Sequence, residues 1–174
     1  MKLPSLILLA IFTLLTPSVL MAKGEKRPPL SITFHLEANN AEGRKLSIPV
    51  DTKMGKKFIQ RSPTFSTKDF IAYHTFVSPH PNENYGVSLQ LSKTAAQRLS
   101  YISAENKGRY MVANINGAVA DMIYIDKQVD GRVITIWRNV DPRFISIVNP
   151  ILPKIGETKD VWKARLKAEK KLKK

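Results

Sequence analysis

The dipeptide Asn116-Gly117 separates two apolar segments, residues 110–115 and residues 118–125. Both central residues of a two-residue β-hairpin turn of this kind need a positive φ, which Asn and Gly tolerate best. The two segments are therefore predicted to be neighbouring antiparallel strands. The same signal recurs at Asp130-Gly131, just before the apolar run at residues 133–137, and predicts another turn followed by another strand.

One amphipathic helix is predicted upstream of this hairpin, directly after a strand. Residues 85–91 alternate strictly between apolar and polar side chains, which is the pattern of a half-buried strand. Ser92 is a suitable N-cap for a helix over residues 93–106, and Gly108 is a suitable terminator. The helix has apolar residues at helical spacing that would pack on a sheet, namely Ala95, Leu99 and Ile102.

The first half of the chain carries weaker strand patterns. Residues 30–37 alternate between apolar and polar, residues 70–77 do so weakly, and residues 46–50 and 56–60 suggest two shorter strands. Pro49 restricts the strand at 46–50 to the edge of a sheet, because proline has no N–H to donate. Together these elements predict an α+β domain with a mostly antiparallel sheet and one main helix packed on a face.

The N-terminal residues 1–22 have the pattern of a secretory signal peptide. Lys2 is followed by an apolar run at residues 6–15, and Ala22 is the small residue at the predicted cleavage position. The alternative is an uncleaved anchor helix, since the uncharged stretch is just long enough to span a bilayer of roughly 30 Å. In either case the rest of the chain is expected in the periplasm or outside the cell.

The remaining chain is predicted to have three parts: a flexible lead-in at residues 23–29, a domain at residues 30–156 and a basic tail at residues 157–174. Hydrophobic residues make up 43% of the sequence, which is enough to build a core. The chain has no cysteine, which excludes disulfides, thiolate metal sites and a cysteine nucleophile. An exported domain of about 150 residues can be stable without disulfides.

Positive charge is the clearest signal outside the fold. The chain has 28 Lys or Arg against 14 acidic residues, and residues 157–174 hold eight of the basic and three of the acidic ones. The tail residues predicted to bind a partner are Trp162, Lys163, Arg165, Lys167, Lys170, Lys171, Lys173 and Lys174. Each basic residue near an anionic membrane contributes about 1 kcal/mol. Phospholipid, lipopolysaccharide, a cell-wall polymer or an acidic protein would fit such a tail, whereas nucleic acid is not expected as the partner of an exported chain. The alternative is a solvated tail that aids solubility.

The order of elements over residues 85–138 carries a family resemblance. An alternating strand is followed by a helix containing Ala95-Ala96, then by Asn106-Lys107-Gly108, the hairpin at Asn116-Gly117 and a strand led by Gly131. This order resembles the head subdomain of the first periplasmic domain of SecD and SecDF, the protein-export membrane proteins. The resemblance is closest over residues 85–138 and looser over residues 65–84.

The resemblance implies an α+β fold and a non-enzymatic module that contacts polypeptides or a membrane-associated partner of the cell envelope. It implies no catalytic residue, because the head subdomain has none. SecD-type proteins also carry several membrane spans and a base subdomain, whereas this chain has at most one apolar segment. Translocation activity is therefore not implied.

No motif in the sequence points to catalysis or to a bound cofactor. His74 and His80 lie six residues apart with Glu83 nearby, but this spacing matches no compact metal site. There is no Gly-x-Ser-x-Gly elbow and no phosphate-binding loop. We therefore predict neither catalytic residues nor a metal. The competing hypothesis is a small envelope enzyme or metal protein, which would need these histidines and nearby acids to converge within about 3 Å of one point. The ligand and the oligomeric state stay open.

Overall fold

The structure is a computed structural model that describes residues 30–38 and 43–172. Its strands are β1 (Ile32–Leu36), β2 (Ser47–Thr52), β3 (Gly55–Gln60), β4 (Phe65–Ser66), β5 (Phe70–Val77), β6 (Tyr85–Leu91), β7 (Tyr110–Ile115), β8 (Ala118–Tyr124) and β9 (Val133–Val140). Its helices are α1 (Gly43–Leu46), α2 (Lys93–Glu105), α3 (Pro142–Val148) and α4 (Lys159–Leu172), with a 3₁₀ turn at Thr67–Asp69. The predicted α+β class is confirmed. The predictions for residues 1–22, residues 23–29, Lys173 and Lys174 lie outside the described residues.

Two antiparallel sheets form the frame of the domain. The four-stranded sheet has the order β4-β1-β7-β8, and the three-stranded sheet has the order β5-β6-β9. The turn between β7 and β8 consists of Asn116 and Gly117, whose φ angles are 51° and 86°. The predicted hairpin is therefore confirmed, with the positive φ at both positions that its sequence indicates.

Strand β9 lies beside β8 without a backbone ladder, and it pairs instead with β6. The Asp130-Gly131 signal predicts a tight turn, but Gly131 does not have a positive φ and the chain passes through a longer loop. Side chains bridge the two strands. The buried carboxylate of Asp121 accepts hydrogen bonds from the backbone N–H of Trp137 and from Nε of Arg138, both at 2.8 Å. We call this junction the seam.

One apolar core joins both sheets with α2 and α3. Ala95 and Leu99 of α2 are buried in it, as the helical spacing predicts. The hydroxyl of Ser92 accepts a hydrogen bond from the N–H of Ala95 and so caps the helix. The guanidinium of Arg98 lies 4.9 Å from the ring centroid of Phe65, which fixes the helix over β4.

Strands β2 and β3 form a separate hairpin whose outer edge is interrupted. Thr52 and Gly55 flank its two-residue turn and form a hydrogen-bonded pair, so such pairs alternate along the hairpin from there. Counting every second residue from Thr52 and Gly55 leads to Leu46 and Arg61, which also form a hydrogen-bonded pair. The N–H of Arg61 donates to the carbonyl of Leu46 at 2.7 Å. The backbone of Pro49 therefore faces the outer edge, where its missing N–H works against pairing with another strand.

The C-terminal part of the chain is more regular than its proline content suggests. Pro142 begins α3 instead of breaking it, because a proline at the first helical position loses no helical hydrogen bond. Asp141 caps this helix by accepting from the N–H of Arg143 at 2.7 Å. The basic tail is helical over α4. None of the helices in the described part of the chain combines the length and the hydrophobicity that a membrane span requires.

Candidate binding surfaces

The three-stranded sheet presents one face with exposed aromatic and apolar side chains. Strand register and alternation place nine residues on it: Ala72, His74, Phe76, Gly86, Ser88, Gln90, Val133, Thr135 and Trp137. Trp137 is 47% exposed and Val133 is 41% exposed, and His74 is also open to solvent. We call this surface the aromatic face.

Phe76 and Trp137 form an aromatic pair on this face. Their ring centroids are 5.5 Å apart with an interplanar angle of 69°, which is an edge-to-face contact. The ring of Phe76 lies directly over Gly86. A Cβ atom at Gly86 would come within 2.4 Å of Cζ of Phe76. The glycine therefore provides the space in which the phenylalanine ring lies.

The backbone of Trp137 is held from both sides. Its N–H donates to Asp121 across the seam, and its carbonyl accepts from Oγ of Ser78 at 2.7 Å. Nε of Arg138 adds a second bond to the same carboxylate. An aromatic side chain on a fixed backbone loses little conformational entropy when it contacts a partner. Trp137 is thus well suited to be the anchor of a binding surface.

A small apolar cavity opens beside Trp137. Its volume is about 140 Å³, and it lies between α2, the ends of β7 and β8, and β9. Its apolar walls include Leu99, Met111, Ile123 and Ile134, while Val133, Thr135 and Trp137 connect it to the aromatic face. An apolar cavity of about this size can hold a benzene ring. The cavity is therefore large enough for one aromatic or aliphatic side chain.

The predicted binding residues of the tail fall into two groups. Trp162 and Arg165 face the domain, and the indole Nε1–H of Trp162 donates to the carbonyl of Asn149 at 3.1 Å. Arg165 donates to both carboxylate oxygens of Glu157 at 2.8 Å and to Oδ1 of Asn149 at 2.7 Å. The hydroxyl of Tyr73 donates to the same Asn149 oxygen. These two tail residues fasten α4 to the domain.

The ion pair at this junction perturbs both of its partners. Hydrogen bonds from Arg165, and then from the N–H of Lys154, lower the pKa of Glu157 to about 2. The same hydrogen bond from Arg165 to Glu157 raises the pKa of the guanidinium above its ordinary value. Burial raises the pKa of the Tyr73 phenol. At neutral pH the Arg165–Glu157 pair is therefore fully charged, while the Tyr73 phenol is neutral.

The other described residues of that group are lysines that point away from the domain. They are Lys163, Lys167, Lys170 and Lys171, and all four are exposed. The sequence of the tail alone does not separate these lysines from Trp162 and Arg165, because it does not reveal which side of the helix meets the domain. The structure separates anchoring residues from exposed cations.

The three histidines lie in different places. His35 is buried, and its Nδ1–H donates to the carbonyl of Gln60 at 2.8 Å. His74 is on the aromatic face and His80 is in the exposed loop after β5. Among residues 30–38 and 43–172 there is no group of three or more His, Asp or Glu that could hold a metal ion.

Glu83, which the metal hypothesis also needs, is engaged elsewhere. Its carboxylate lies 2.5 Å from Nζ of Lys53 and accepts from the N–H of Asn139 at 3.2 Å. The hydrogen bond from Lys53 is the main cause that lowers the pKa of Glu83. These contacts tie the β2–β3 turn to the end of β9.

The aromatic face is not predicted from the sequence. A signal was present, since β5 and β9 carry large apolar residues at both odd and even positions. A strand with large apolar side chains on both faces is either buried on both sides or leaves one apolar face exposed. Only the packing of the two sheets distinguishes these cases.

No protein-family model matches the chain, and no curated protein matches it. Among solved structures, one of SecDF, described as a membrane component that enhances protein export, matches 68% of this chain and 59% of its own. The sequence identity is 14% and the TM-score is 0.47. A second, of SecDF in a Super-membrane-facing form, matches 70% of this chain and 18% of its own at 14% identity, with a TM-score of 0.49.

The chain thus spans less than two thirds of either SecDF chain. At this identity and these TM-scores, neither structure assigns a residue role or an activity to it. The resemblance to the head subdomain of SecD and SecDF stays a prediction from the sequence.

Proposed function

We propose that this chain is a non-enzymatic, exported binding module that contacts unfolded polypeptide in the cell envelope. The observation that carries the proposal is the apolar cavity beside the exposed ring of Trp137. The resemblance of residues 85–138 to the head subdomain of SecD and SecDF supports the same conclusion from the sequence. The signal-peptide pattern at residues 1–22 supports export.

The expected ligand is an extended segment with one large apolar side chain. The cavity takes that side chain, while the rings of Phe76 and Trp137 cover the neighbouring residues of the segment. On the same face, Ser88 and Thr135 form a hydrogen bond to each other, with their hydroxyl oxygens 3.1 Å apart. The contact is mainly apolar, so we expect the affinity to depend on side-chain size and only weakly on salt.

The proposal is tested by calorimetric titration with short, uncharged peptides that differ at one central residue: Phe, Leu or Ser. We expect the Phe and Leu peptides to bind and the Ser peptide to bind at least tenfold more weakly. Trp137→Ala should weaken binding of the Phe peptide by about tenfold or more, which is typical for the loss of an aromatic anchor.

The matched control is Tyr101→Ala. This residue is an aromatic side chain on α2 that is 69% exposed and lies outside the aromatic face. It should leave the affinity unchanged. Equal binding of the Phe and Ser peptides, or an unaltered affinity of the Trp137→Ala variant, would contradict the proposal.

A further inference from the structure

Helix α4 has three faces with different chemistry. One face contacts the domain through Trp162, Arg165 and Glu169, which all bond to Asn149, and half-buried Leu166 lies on the same face. A second face is a stripe of exposed lysines, which are Lys159, Lys163, Lys167, Lys170 and Lys171. A third face is an exposed apolar strip made of Val161, Ala164, Ala168 and Leu172. At about 100° per residue, the strip and the lysine stripe lie side by side on the solvent side of the helix.

The apolar strip is unusually open for large side chains. Val161 is 57% exposed and Leu172 is 87% exposed. A groove of about 470 Å³ continues the strip from Leu172 onto Pro142 and Ile145 of α3. In water this arrangement leaves contiguous apolar surface uncovered, which indicates a partner surface.

The charge of the lysine stripe is not neutralised by the acids of the same segment. Glu157 and Glu169 both bind Arg165 on the face that contacts the domain. Asp160 is the remaining acid of the segment and lies at the N-terminal end of α4. The exposed side of the helix is therefore strongly cationic along most of its length.

We propose that α4 lies flat on an anionic phospholipid bilayer. The lysine stripe contacts phosphate headgroups, and the apolar strip enters the boundary between headgroups and acyl chains. A basic stripe next to an apolar strip is the composition of helices that bind at membrane interfaces. This inference is independent of the aromatic face and goes beyond the contact with polypeptide proposed above.

The anchoring of the helix strengthens the proposal. Interfacial peptides are often disordered in water and lose conformational entropy when they fold on the membrane. Here Trp162 and Arg165 hold α4 in its helical form before any contact with lipid. The lysines and the apolar strip are thus presented together without a folding cost.

The test is co-sedimentation of the chain from Lys23 to Lys174 with phospholipid vesicles. This chain retains every core residue of the part that the structure describes, from Leu30 to Leu152. One set of vesicles is phosphatidylcholine alone, and the other contains about one third phosphatidylglycerol to supply the negative surface. We expect binding to the anionic vesicles only, with a partition coefficient that falls as NaCl is added.

Two variants separate the two contributions. Lys163→Gln/Lys167→Gln/Lys170→Gln should lower the partition coefficient on the order of 100-fold, since each lysine contributes about fivefold at an anionic surface. Val161→Gln/Leu172→Gln should lower it by at least about tenfold and leave its dependence on salt unchanged, because only apolar burial is lost. All five side chains lie on the exterior of the fold, so circular dichroism should show unchanged melting.

The matched control is Lys93→Gln/Lys107→Gln/Lys127→Gln, which removes three exposed lysines away from α4. It has the same net charge as the triple variant of the stripe and should bind like the wild type. Equal loss in both triple variants would show that only the total charge matters and would overturn the proposal. Binding to lipopolysaccharide or a soluble cell-wall polyanion without binding to anionic vesicles would also overturn it.

Discussion

Replacing Gly86 with alanine tests whether the aromatic face depends on the space above this residue. The added Cβ would lie 2.4 Å and 2.5 Å from Cζ and Cε2 of Phe76, and 2.9 Å from the carbonyl oxygen of Ile136. Carbon atoms in contact are normally about 3.5–4.0 Å apart, so the ring must move by about 1 Å or more. The clash with Ile136 involves backbone and is not relieved by rotating a side chain.

The expected loss of stability follows from these contacts. Overpacking of this kind costs about 1–3 kcal/mol. Displacing Phe76 also loses its edge-to-face contact with Trp137, which contributes about 0.5–1.5 kcal/mol. The lower chain entropy of alanine offsets about 0.5–1 kcal/mol. We expect Gly86→Ala to lower the free energy of unfolding by about 2–3 kcal/mol, measured by urea denaturation.

A double-mutant cycle identifies the ring as the cause. In a Phe76→Ala background the contact with the carbonyl of Ile136 remains, so Gly86→Ala should then cost only about 1 kcal/mol. Gly131→Ala is the control, because a Cβ at Gly131 meets nothing within 4 Å, and it should change stability by less than about 0.5 kcal/mol. If Gly86→Ala costs the same with and without the Phe76 ring, the reasoning about this face is wrong.

Three further perturbations test other parts of the fold. Asp121→Ala should lower the free energy of unfolding in urea by about 3 kcal/mol, because it leaves the N–H of Trp137 and the guanidinium of Arg138 without their shared acceptor. An unchanged midpoint would refute that account of the seam. Gly117→Ala should cost about 1–2 kcal/mol by the same assay, since alanine is strained at a φ of 86°. The pKa of Glu157 lies below its unfolded value of about 4.5, so its pairing stabilises the fold above pH 4.5 and is lost as the pH falls through about 2. Thermal melts of wild type and Glu157→Gln should accordingly differ at neutral pH and converge near pH 2, and a constant difference would contradict this.

Local signals in the sequence predicted most of the individual elements. Asn116-Gly117 specifies its turn through backbone conformation, and Ser92 specifies the start of α2 through a side-chain cap. These are short-range effects, because the residues that produce them are close together in the sequence. They define where strands and helices begin and end, but they do not define which strands pair.

The contact between β8 and β9 depends on a long-range interaction that no local signal indicates. From the sequence, Asp121 is expected to be a solvated acid near the end of a strand. In the structure its carboxylate is buried against β9. The placement of β9 beside β8, and with it the cavity between them, follows from this contact, whereas the aromatic face is built by the ladder between β6 and β9. The lysines of the tail were found from charge alone, whereas the anchoring role of Arg165 depends on Asn149 and Glu157 in the folded chain.

A stretching force applied to this protein would meet two kinds of junction. Along β5-β6-β9 and β4-β1-β7-β8, backbone ladders share the force over many hydrogen bonds. Across the seam, two of the bonds converge on Asp121, and the amide of Asn139 adds one to the carbonyl of Ala120. In single-molecule pulling we therefore expect the wild type to extend in one step. The Asp121→Ala variant should extend in two steps, and the two sheets should separate in the first.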